Sequence, residues 1–92
     1  MTTFEFWPDY GPGPLWNEGK AVDMLSLGLP QQLAQELKAW NDLYAEDKLP
    51  LEGSGDAQWL REGRSLLQRT RTALGPSAAV VVTEPWWDQD ST

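Results

Sequence analysis

Seven prolines, at positions 8, 12, 14, 30, 50, 76 and 85, cut the 92-residue chain into segments and fix what each can become. Proline cannot donate to a sheet ladder and breaks a helix interior, so regular structure has to fit between these points. Residues 2–7 alternate, with Thr3, Glu5 and Trp7 on one side and Phe4 and Phe6 on the other. That pattern predicts a strand ended by Pro8. Three prolines and two glycines between Pro8 and Trp16 then predict a turn or extended loop. Asn17 to Lys20 has the composition of a turn, and Val22, Met24, Leu25 and Leu27 lack a clean period, so they are expected to drape over the core.

Pro30 suits a helical first turn. Leu33, Leu37, Trp40 and Tyr44 follow at spacings of four, three and four, which make one helix face. The spacing predicts a helix over 30–46, limited by Pro50. After the connector at 51–55, Ser54 or Asp56 is placed to cap a second helix. Its stripe is Trp59, Gly63, Leu66, Thr70 and Leu74, with Leu60 and Leu67 beside it. Gly63 within that stripe costs about 1 kcal/mol relative to alanine and points to close approach of the first helix. Gly75-Pro76 predicts a helix stop with a left-handed glycine cap. The valine run within residues 78–83 predicts a second strand, followed by Trp86, Trp87 and a short polar tail at 88–92.

The expected fold is therefore a single α+β domain of order β-loop-α-α-β. A two- or three-stranded sheet carries an antiparallel helix pair on one face. Strands 2–7 and 78–83 pair, and because two strands alone are marginal, a third near Leu15-Trp16 or a dimer that extends the sheet is expected to support them.

Two blocks carry a resemblance. Asp9-Tyr10-Gly11 with Pro14-Leu15-Trp16, and Leu27-Gly28-Leu29 with Leu33, Leu37, Trp40 and Tyr44, resemble a group of small bacterial proteins. Those proteins carry a DYG..PLW segment and an LxL…L…L..W…Y helix. Together with Leu74-Gly75-Pro76 the similarity spans residues 7 to 82. The group commonly has serine at the helix start, where this chain has Pro30, so the first helix cap departs from the pattern. The resemblance implies no activity.

Composition narrows the chemistry. The chain has no cysteine and no histidine, which removes thiol nucleophiles, the commonest general base and the usual zinc and copper ligands. No cofactor and no metal are expected; Asp88 and Asp90 fall far short of a cation site. Glu5 and Glu84 are placed on the two expected strands, facing each other, as the carboxylate pair that would support a small enzyme, the least favoured reading. The N-terminal residues lack the features of an export signal and no apolar run spans a bilayer, so no membrane association and a cytoplasmic location are expected. Net charge is −7, all of it within residues 1–60, whereas residues 61–92 balance. Such a surface repels nucleic acid and steers basic partners. Arg61, Arg64, Arg69 and Arg71 on the second helix are read as salt-bridge partners of the acidic half.

The candidate binding residues are Trp7, Tyr10, Trp16, Trp86 and Trp87, as aromatic interface groups, and Asp42, Glu46 and Asp47, as an acidic face. For each there is a plainer role: the rings plug a small core, and the acids solvate a helix. The function favoured is partner binding by a small acidic protein, as an immunity- or antitoxin-type neutraliser or an adaptor for a basic protein. A homodimer or complex subunit is the alternative.

Overall fold

The computed structural model describes residues 2–50, 53, 55–84 and 87. The strands are β1 (Thr2–Phe6), β2 (Leu15–Asn17), β3 (Lys20–Ala21) and β4 (Ala78–Val81), and the helices are α1 (Gln31–Asp42) and α2 (Ala57–Leu74). The sheet order is β3-β2-β1-β4. β1 runs antiparallel to β2, with Glu5 opposite Trp16 and Phe6 opposite Leu15. It runs parallel to β4, with Phe4 opposite Val80 and Glu5 opposite Val81. The architecture is the expected α+β fold, with four strands instead of two or three. The added strand, β3, begins at the end of the expected turn: Asn17 pairs with Lys20 across the two residues Glu18 and Gly19.

The strand alternation sorts the sheet into two faces. Phe4, Phe6, Leu15 and Val80 are buried. Thr3, Glu5 and Val81 lie on the opposite face. Beneath the buried side α1 and α2 form an antiparallel pair. Leu33 of α1 lies beside Gln68, Arg69, Thr72 and Ala73 of α2, while Trp40, near the other end of α1, stacks on Trp59, near the start of α2.

Four rings dominate the core. Trp40 and Trp59 stack with centroids 4.3 Å apart, and Trp87 meets Phe6, Trp40 and Trp59 edge-on. Indole N–H groups need partners when buried. Trp40 Nε1 donates to the Trp59 carbonyl at 2.9 Å, and Trp59 Nε1 donates back to the Trp40 carbonyl at 3.1 Å. Gly63 makes this possible. A Cβ there would come within 2.7 Å of the Trp87 ring and closer still to Trp40. What comes close at Gly63 is the Trp40 side chain of α1 together with Trp87, and these two indoles fill the notch.

Local differences from expectation have local causes. α1 ends at Asp42, four residues early, and the Tyr44 N–H turns back to the Asn41 carbonyl. A separate 3₁₀ turn, Glu46–Lys48, follows. At the start of α2, Asp56 is the cap and accepts from the Trp59 N–H at 3.0 Å. Gly75 has φ 62° and ψ −148°, so it does not form the left-handed cap expected from the sequence. A 3₁₀ turn through Pro76 leads directly into β4, which ends at Val81.

Candidate functional site

The proline- and glycine-rich segment becomes the six-residue loop 8–13 between β1 and β2. Trp7 N–H closes its base on the Pro14 carbonyl at 3.0 Å, and the Gly13–Pro14 peptide is cis. On the open side of the sheet Trp7 stacks almost flat on Trp16, with centroids 3.9 Å apart and planes 4° apart. Trp16 also donates through Nε1 to the Trp7 carbonyl at 2.8 Å. Trp16 is buried and Trp7 half-buried, so this pair seals the base of the loop.

Tyr10 differs from both. It is 59% exposed at the tip of the loop. Its ring tilts against Tyr44, with centroids 4.8 Å apart, and its hydroxyl accepts from the Glu46 N–H at 3.2 Å. Tyr44 in turn approaches Trp59 of the core. The Tyr44 phenol is pushed above its ordinary value, first by burial and then by Tyr10, Glu46, Asp9 and Glu84. Leu43, beside Tyr44 in the chain, is 58% exposed. Leu43 lines a cleft between the helices with Glu36, Ala39, Trp40, Glu62, Ser65, Leu66 and Arg69.

The loop does not hang free. Asn41, on α1, is buried and turns its amide to the loop. Its Oδ1 accepts from the Asp9 N–H at 3.1 Å, and its Nδ2 faces the carbonyls of Asp9, Gly11 and Pro12 at 3.0–3.2 Å. Two amide hydrogens are shared among three acceptors. Gly13 allows the contact, since a Cβ there would lie 3.1 Å from Asn41 Oδ1 and 3.2 Å from the Trp16 ring. Sequence reasoning did not single out Asn41. The signal was present, because position 41 lies four residues after Leu37 and eight after Leu33, on the buried stripe of α1. A polar residue in an apolar slot is the informative exception.

The remaining candidates separate. Trp87 is 1% exposed in the core and presents no free ring; Trp86 lies outside the described residues, as do Asp88, Asp90 and the tail. Asp42, Glu46 and Asp47 do not share one helix face, because α1 ends between them. Asp42 pairs with Lys38 at 2.9 Å on the last turns of α1, while Glu46 and Asp47 open the 3₁₀ turn. Glu5 and Glu84 do not oppose each other. Val81 stands opposite Glu5, and Glu84 lies beyond the end of β4. Glu5 accepts from the Trp7 indole and Glu84 from the Thr83 hydroxyl.

Arg69 pairs with Glu36 across the helices. Their hydrogen bond is the first cause that lowers the Glu36 carboxyl and raises the Arg69 guanidinium. Arg71 donates through Nε and Nη2 to the Val80 carbonyl, tying α2 to β4. Among the described residues no group of His, Cys, Asp or Glu is placed to hold a metal ion, and no helix is long and apolar enough to cross a membrane.

Fold and surface together define a small α+β protein that presents a preformed aromatic and acidic face. The chain belongs to the Serratia CdiI immunity protein-like family, whose model matches residues 2–85. No curated protein matches the chain. The family is described as immunity protein-like.

Proposed function

We propose that this protein is a cytoplasmic immunity protein that neutralises a toxin by direct binding. The Tyr10–Tyr44 surface, with Asp9 next to Tyr10 in the loop, Glu46 and Asp47 on the adjoining 3₁₀ turn and Asp42 at the end of α1, is the docking face for a basic surface of that toxin. The observation that carries the reading is an exposed tyrosine held against a second tyrosine, with its hydroxyl on the Glu46 N–H of an acidic 3₁₀ turn. Tyrosine contributes large contact area at low entropic cost and is enriched in binding hot spots. Carboxylates near it speed encounter with a cationic partner and disfavour acidic ones.

The test begins with the tagged protein in its native cells, washed at low and at high salt, to isolate the toxin. Affinity of the purified toxin domain is then measured by calorimetry across a salt series. The triple variant Asp42→Asn, Glu46→Gln, Asp47→Asn should bind about tenfold more weakly at low salt and show a shallower salt dependence. Unchanged affinity at low salt would remove the electrostatic part of the proposal.

A further inference from the structure

We propose that Asn41 is a positioning residue for binding: its buried amide holds loop 8–13 in the conformation that presents Tyr10 to the toxin. The inference rests on the docking face described above and assigns the residue that preorganises it.

Asn41 is 2% exposed and sits on a helix that also supplies Leu37 and Trp40 to the core. Its backbone is therefore fixed by packing that does not involve the loop. Its side chain has one acceptor and two donor hydrogens. The acceptor meets a loop N–H, and the donors meet three loop carbonyls. The opposite amide orientation would set Oδ1 against carbonyl oxygens and Nδ2 against an N–H, so the network admits one orientation.

All four bonds fall on residues 9–12, the segment that carries Tyr10. Among the described residues of the body, Tyr10 meets the Tyr44 ring and the Glu46 N–H. Two further bonds seal the base of the loop, Trp7 N–H to the Pro14 carbonyl and the Trp16 indole to the Trp7 carbonyl, and within the loop the Tyr10 N–H donates to Asp9 Oδ1. A loop bound at its base but free over 9–12 would have to be ordered on binding, and that ordering would subtract from affinity. The Asn41 amide supplies the order beforehand.

Proton NMR on the wild-type protein gives the first check. The Asp9 amide should exchange as slowly as helix amides, and exchange at the rate of an open loop would overturn the proposal. The second check uses Asn41→Leu, which keeps the bulk and removes the amide. Cross-peaks between the Tyr10 and Tyr44 rings should disappear while those between Trp40 and Trp59 persist. Retention of the Tyr10–Tyr44 cross-peaks would overturn the proposal.

The third is a double-mutant cycle with the purified toxin domain. Tyr10→Ala and Asn41→Leu should each weaken binding about tenfold, and the double variant should be little worse than either alone. A residue that only stabilised the fold would give additive losses, which overturns positioning. Unchanged binding by Tyr10→Ala alone would instead overturn the docking face itself, so the two failures are told apart.

Discussion

The protein uses aromatic residues in two regions that behave in opposite ways. In the core, Trp40, Trp59, Trp87 and Phe6 enclose one another, and Trp40 and Trp59 satisfy each other's carbonyls. At the loop tip, Tyr10 and Tyr44 lean together at the surface next to an acidic 3₁₀ turn. Ring chemistry alone does not separate the two. What separates them is the neighbour that makes room or holds place. Gly63 opens a notch that two indoles fill, whereas Asn41 grips a backbone and leaves a ring outside. The core contacts favour folding, and the loop contacts fix the shape of a surface.

That contrast can be broken experimentally, and the largest effect should come from the core. Trp40→Ala should cost about 3–5 kcal/mol in urea unfolding, as expected for a fully packed aromatic. A loss near that of a surface residue would mean that the ring cluster is not the centre of stability. Gly63→Ala comes next. Overpacking costs about 1–3 kcal/mol, partly offset by the alanine helix preference of about 1 kcal/mol. A stabilised variant would show that the indoles can yield.

Tyr10→Ala should leave stability within about 0.5 kcal/mol of wild type while weakening toxin binding, which separates the two regions in one substitution. A large fall in stability would place Tyr10 with the core rings.

The smallest effect concerns acid. Asp56 is held below the ordinary carboxylate value first by the Trp59 N–H, and Glu36 first by its bond from Arg69. A lowered carboxyl stabilises the fold fully above its unfolded value, and that contribution fades as pH falls through the folded value. The urea midpoint should therefore drop as pH falls below about 4. Glu36→Gln with Asp56→Asn should flatten that drop slightly, since both groups are exposed to solvent screening. An unchanged slope would show that neither contact persists in solution.

Much of the fold was legible because proline and periodicity act locally. Leu33, Leu37 and Trp40 gave α1, Gly63 marked where the Trp40 side chain of α1 comes close, and the alternation around Phe4 and Phe6 gave β1. β3 escaped because two residues carry no period at all. The end of α1 escaped because Tyr44 continues the helical spacing, yet its ring packs on Tyr10 and near Trp59 from outside the helix.

The candidate surface was half legible. Tyr10 and Glu46 were singled out, but their hydrogen bond joins positions 36 apart in the chain. Trp16 and Trp87 had the same composition signal as Tyr10, and only tertiary neighbours reveal that they are enclosed. Asn41 was marked by its place on an apolar stripe, but its partners lie about thirty positions away.

The pairing of β1 with β4 has a consequence for how the protein is made. Every partner in that ladder is 76 positions distant in the chain, as with Thr2 and Ala78. During synthesis β1 emerges early, yet one of its edges stays open until both helices have been translated. Contacts of such long separation slow folding, whereas the helix pair can assemble from nearer neighbours. The central strand is thus made before its neighbours and completed last, and a chain halted before β4 leaves open one edge of β1, a strand that carries the Tyr10 loop.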